Sequence, residues 1–87
     1  MKTIKQLEED IRTAHENGIK YLIVGLLVYK GKEMVIVERD NFIEKLEYYK
    51  RTYDENLVMK NDKNVKIVKY MFSDNVNIDV IDITKAL

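Results

Sequence analysis

Hydrophobic positions recur with helical spacing in two stretches of the chain and run unbroken or alternate in four others. In residues 3–17, Ile4, Leu7, Ile11 and Ala14 fall on one face of a helix. Thr3, with Gln6 three residues on, has the spacing of a capping box, in which each side chain satisfies an orphan backbone donor. Asn17-Gly18 supplies a stop, because glycine tolerates the left-handed conformation beyond a helix end. Residues 19–29 form the longest apolar run, rich in the β-branched and aromatic side chains that fit a pleated surface. A turn is expected at 30–32, where Gly31 is free to take positive φ, and a second strand at 34–38. So short a connection forces the two strands to run antiparallel.

Residues 41–53 predict a second helix with Phe42, Leu46, Tyr49 and Tyr53 as its apolar stripe, and Asn41 and Glu44 repeat the capping-box spacing. Leu57 continues that periodicity, so the helix is expected to reach about residue 60 with a frayed last turn; a short strand at 57–59 is the alternative. A loop at 61–64, a strand at 65–72, a turn at 73–75 and a last strand at 76–83 complete the pattern. The slip of alternation at Val80-Ile81 points to a bulge, and residues 85–87 are expected to fray.

The order α-β-β-α-β-β predicts a single α+β domain over residues 1–87, with a four-stranded antiparallel sheet and two helices on one face. Residues 4–17 and 43–56, aligned without gaps, share seven identities in fourteen positions, and each stretch precedes a hairpin pattern. Tandem duplication of an αββ unit is one explanation; the other is that amphipathic helices draw on the same few residues.

The first strand does not alternate apolar with polar as a half-solvated antiparallel strand does. Leu22, Val24, Leu26 and Val28 share one face, while Tyr21, Ile23, Gly25, Leu27 and Tyr29 share the other. Both faces therefore require a cover. The aliphatic face suits the chain's own helices. The tyrosine-rich face, which Tyr70 and Phe72 of the third strand are expected to extend, then forms an aromatic patch suited to a partner. Gly25 in mid-strand marks a bend or a close backbone approach.

Composition narrows the reading. Eighty-seven residues give one modest core and little room for a deep cavity. Fifteen basic and fifteen acidic side chains cancel, whereas a dedicated DNA-binding domain is usually basic. There is no cysteine, which removes disulfides, thiolate metal sites and thiol nucleophiles. Residues 2–16 are polar and periodic rather than a hydrophobic leader block, and no apolar run reaches the about 20 residues of a membrane span, so a cytoplasmic location is expected. The absence of proline, with abundant Lys, Ile and Asn, suits an AT-rich bacterial or phage genome.

Little chemistry is legible. His15 lies beside the stripe of the first helix, with no serine or cysteine near it in sequence, and reads as a surface histidine. Asp79 and Asp82 point to opposite faces of a regular strand and read as edge-strand charges rather than metal ligands. The three glycines are scattered and build no phosphate loop. Residues 48–53, YYKRTY, interleave aromatic and basic side chains; Tyr49 and Tyr53 belong to the buried stripe, which leaves Tyr48 and Arg51 outside, in types enriched at protein interfaces. The expected function is a small non-enzymatic protein-binding module, with no catalytic residue, metal or cofactor, acting through an open sheet face or edge. Its expected contacts are Tyr21, Ile23, Leu27, Tyr29, Tyr70, Tyr48 and Arg51. Its partner would be another protein or a second copy (a homodimer), with no membrane involved, and an inhibitor of a host or defence protein carried by a phage or mobile element is one such role. The alternative is a nucleic-acid-binding accessory protein using Lys50, Arg51 and the lysines of 60–69.

Overall fold

The computed structural model describes residues 2–75. Helix α1 (Ile4–Glu16), strands β1 (Tyr21–Val28) and β2 (Gly31–Glu38), a 3-10 turn (Arg39–Asn41), helix α2 (Phe42–Thr52) and strand β3 (Lys66–Ser73) follow in that order. The strands form an antiparallel sheet in the order β2-β1-β3. The α+β class stands, with two helices and three strands among the described residues. The expected fourth strand at 76–83 lies outside those residues.

Thr3 caps α1 as its type dictates, its hydroxyl accepting from the Gln6 amide at 3.2 Å. The reciprocal half of the capping box does not form, because the Gln6 side chain donates to Asp10 at 2.9 Å instead. Gly18 takes φ 72 and turns the chain into β1. Leu7, Ile11 and Ala14 bury against Leu22, Val24 and Leu26, which are joined by Phe42, Leu46, Tyr49 and Tyr53 of the second stripe. Both predicted stripes and the aliphatic face of β1 thus build one core. Burying a single side chain of this size stabilises by about 1.5–3 kcal/mol, which decides which face of β1 the helices cover.

The hairpin is tighter than the sequence pattern predicted. Tyr29 and Lys30 alone form its turn, Val28 pairs with Gly31, and β2 begins at Gly31 (φ 150) rather than at residue 34. Tyr29 is therefore a turn residue and not a strand residue. The second helix also departs from expectation. Asn41 makes no side-chain cap; it closes a 3-10 turn, and α2 begins at Phe42. The helix stops at Thr52 instead of continuing towards 60, and Leu57, expected on its stripe, sits at φ 65. The cause is Asp54, whose carboxylate accepts from the amides of Asn56 at 2.8 Å and Val58 at 3.1 Å and so folds 54–58 into a local turn that competes with helix. Leu57 still reaches the core, at 2% exposure.

Residues 53–65 are bound into the fold along their length. The Met59 amide donates to the Val65 carbonyl, the Ile67 amide to the Leu57 carbonyl and the Ile4 amide to the Glu55 carbonyl. Val58 and Lys66 form an isolated bridge, as do Tyr53 and Met59. Against the duplication, the first helix reaches its strand through residues 17–20 only, while the second needs 53–65.

Candidate functional site: the open flank of strand two

Register decides which predicted contacts share a surface. The β1–β2 ladder runs unbroken from Tyr21↔Glu38 to Val28↔Gly31. The β1–β3 ladder shifts between Gly25 and Leu26, so Val68 is an extra residue with no partner in β1. The shift falls beside the mid-strand glycine of β1. The bulge changes the parity of β3: Ile67, Tyr70 and Phe72 all face the helices, while Lys69 and Met71 face the other side.

Tyr70 therefore does not join the tyrosine face of β1, and Phe72 does not either. The Tyr70 hydroxyl donates to Asp10 of α1 at 2.7 Å, and its ring lies edge-on to Phe72. Burial and the Asp10 carboxylate both hold its hydroxyl protonated well above the ordinary tyrosine range. The second face of β1 is not an open patch at its centre, where Ile23 has 0% exposure and Gly25 is buried. Tyr21 and Leu27 are half-buried, and only Tyr29, at 75%, projects freely, from the hairpin tip. Of the predicted contacts on this side, Ile23 is inaccessible and Tyr70 lies on the opposite face.

Tyr48 and Arg51 are brought together with something the sequence reading did not select. They line a shallow groove between α2 and β2, floored by Val35, Ile36 and Val37 and flanked by Lys45. Ile36 is 47% exposed and Tyr48 is 36% exposed, both among the most exposed large apolar side chains of the described residues. The Lys45 ammonium lies 4.7 Å from the centroid of Tyr48 and 5.4 Å from that of Tyr49, which orders the Tyr48 ring on the groove wall. Alternation over residues 34–38 was the available signal for Ile36. Its exposure was not legible, because that depends on β2 being the outer strand.

Half of the backbone polar groups of β2 face outward along this flank. The Arg39 amide donates to the Lys20 carbonyl at 2.9 Å, which makes Lys20 and Arg39 a hydrogen-bonded pair at the ladder's end. Alternation then bonds Leu22 with Val37 and Val24 with Val35, and turns the amides and carbonyls of Lys32, Met34, Ile36 and Glu38 away from β1. Among the described residues no strand pairs with that edge.

Elsewhere the charged side chains serve the fold. Glu8 binds Lys50 at 2.9 Å and Arg12 at 3.0 Å, and these two cations hold its carboxyl below the usual carboxylate range. The Arg39 guanidinium donates twice to the His15 carbonyl, at 2.7 and 3.1 Å, locking the end of β2 to the end of α1. The His15 ring is half-buried beside the α1 stripe, 6.4 Å from Phe42. Among the described residues no group of three or more His, Asp or Glu side chains is placed to hold a metal ion. Asp79 and Asp82 lie outside those residues. No described helix is long and apolar enough to cross a membrane. Comparison with protein-family models, curated proteins and solved structures returns no match.

Proposed function

We propose that the protein is a non-enzymatic protein-binding module that engages an extended segment of its partner along the open edge of β2. The observation that carries this reading is the coincidence of three features on one flank. Among the described residues the regular outer edge of β2 is unpaired, the aromatic-cationic wall of Tyr48, Lys45 and Arg51 stands beside it on the helix face, and the exposed Ile36 side chain flanks it on the opposite face of the sheet. Strand addition takes its affinity from backbone hydrogen bonds and its selectivity from alternate side chains, and this groove offers both. Tyr and Arg at its wall are the types that anchor interfaces. The nucleic-acid alternative gains nothing from the geometry: Lys50 is paired with Glu8, and the groove interleaves Glu44 and Glu47 with its cations.

The test uses two variants that spare the fold. Ile36→Pro deletes an amide that points away from β1, a position at which an edge strand tolerates proline. Tyr48→Ala removes the wall. Binding to proteins recovered by affinity capture, the chain itself included, is measured by titration with each purified partner. Loss of binding by at least about tenfold in both variants, with an unchanged circular dichroism spectrum, is the expected result. A partner bound equally by both variants and the wild type would sink the β2 edge as the docking site.

A further inference from the structure

The outer edge of β2 carries a charge pattern that is complementary to itself. On the side of Ile36, the strand reads Lys32, Met34, Ile36, Glu38, cation at one end, anion at the other and apolar between. These are also the residues whose backbone groups face outward. A second β2 strand can add to this edge antiparallel about a two-fold axis, and only registers that pair outward-facing residues with one another make ladder bonds. Two such registers overlap nearly the whole strand. Centred on Met34, the pairing sets Lys32 against Ile36 of the other copy and leaves Glu38 beyond the seam. Centred on Val35, it sets Lys32 opposite Glu38 and Met34 opposite Ile36, each twice. Opposite charges and apolar pairs directly across an antiparallel seam are both stabilising, and like charges there are destabilising.

The helix wall obeys the same symmetry. The two-fold axis that relates the strands also sets α2 antiparallel to its copy. Glu44, towards the start of α2, then faces the end at which the other copy carries Arg51, and both residues line the groove. Nothing in the strand requires that agreement, so it is a second, separate complementarity. The charges at the ends of β2 that guard an edge against indiscriminate pairing thus become the code for one register.

We propose that the occupant of the β2 edge is a second copy of this chain, joined about Val35 into a continuous sheet of both copies, with Lys32 and Glu38 selecting the register. This deepens the edge-binding reading above and rests on it. Lys32 and Glu38 are exposed, so their reversal leaves the core intact. The experiment is sedimentation equilibrium of the full chain across a concentration series for the wild type, Lys32→Glu, Glu38→Lys and the double variant, with circular dichroism as the folding control. The wild type is expected to dimerise. Each single reversal places like charges opposite one another twice and is expected to weaken the dimer by at least about tenfold. The double variant restores the dimer. An equimolar mixture of the two single variants forms a heterodimer, because each then meets its opposite charge at both positions.

A wild-type chain that stays monomeric throughout overturns the second copy as occupant, while the edge reading then stands or falls on the Ile36→Pro titration with other proteins. A dimer that both single reversals leave equally tight, or whose mixed variants fail to associate, overturns this register.

Discussion

β1 is paired on both sides, and its two neighbours are built differently. With β2 it forms a ladder without a shift; with β3 the ladder breaks at Gly25/Leu26 and leaves Val68 over. β3 is then fastened from below and from its start: Tyr70 to Asp10, Ile67 to the Leu57 carbonyl, Lys66 to Val58. β2 is fastened at its far end through Arg39 and is otherwise held by its ladder with β1 and the core beneath. The contrast assigns roles to the two flanks. A bulged, many-times tethered strand secures the fold. A straight strand whose outer edge is unpaired among the described residues is a hazard unless side chains govern what adds to it.

The largest effect expected in breaking this comparison falls on the tethered flank. Leu57 holds a buried side chain on a left-handed backbone and offers its carbonyl to β3. A leucine at positive φ costs free energy that the buried side chain must offset. Leu57→Ala keeps the unfavourable backbone and removes the compensation, so a loss of about 2–4 kcal/mol in urea unfolding is expected. A loss below about 1 kcal/mol would mean that the loop tolerates an empty pocket and that β3 does not depend on it.

The next comparison sets two buried tyrosine hydroxyls against each other. The Tyr70 hydroxyl has the Asp10 carboxylate, while the Tyr49 hydroxyl has no hydrogen-bond partner among the described residues. Tyr70→Phe should cost about 1–2 kcal/mol, whereas Tyr49→Phe should be neutral or stabilise by up to about 1 kcal/mol, because it removes an unpaired buried donor. The pH dependence follows the same groups. Both hydroxyls are pushed above their ordinary range by burial, Tyr70 by Asp10 as well, so the folded chain holds protons that the unfolded chain releases. Their contribution is whole below about pH 10 and is lost as pH rises beyond it. Alkaline unfolding monitored by circular dichroism should begin later in a Tyr49→Phe/Tyr70→Phe double variant than its neutral-pH stability alone implies.

How much of this was legible in the sequence depended on whether the signal was local. Helical stripes, the Thr3 cap, the Gly18 stop and the choice of the aliphatic face as core are all read within a few residues. The stripes and the aliphatic face correspond to residues that the structure buries, and Thr3 and Gly18 start and end α1. The end of α2 was misjudged because Leu57 is in phase with the helix and is buried as a helical residue would be, yet Asp54 supplies a competing local turn. Tyr70 was misplaced for a non-local reason. Period two fixes which residues of one strand share a face, but not which face of a neighbouring strand they join, and one extra residue at Val68 reverses that parity. The open edge was equally hidden, since strand order is a property of the sheet. Tyr48 and Arg51 were found from residue type; Ile36, which flanks the same edge on the opposite face of the sheet, was not.

A third test addresses the edges directly. Ile36 and Val68 are both exposed aliphatics, at 47% and 44%, one on each flank. Ile36→Lys and Val68→Lys should each change stability by less than about 0.5 kcal/mol, as surface substitutions do. Only Ile36→Lys should weaken self-association, by about tenfold or more, because a lysine there meets Met34 across the proposed seam. Equal losses in sedimentation would assign Val68 to an interface as well and erase the functional distinction between the flanks.

The smallest effect belongs to the surface tie between the two halves. α1 holds β3 through Asp10 and α2 walls the β2 groove, and on the outside the helices meet through Glu8 and Lys50. Hydrogen bonds from Lys50 first and Arg12 second lower the Glu8 carboxyl. Its contribution to stability is therefore full above the ordinary carboxylate range and is lost as pH falls through the lower folded value. The pair is partly exposed, so Lys50→Ala should cost no more than about 0.5 kcal/mol, and molar salt should abolish most of that difference. If the flanks were coupled through this tie rather than through the shared core, Lys50→Ala would also loosen the groove wall and weaken the proposed dimer. The core residues Leu46 and Tyr49 already fix α2 from beneath, so dimer strength measured beside stability should not change.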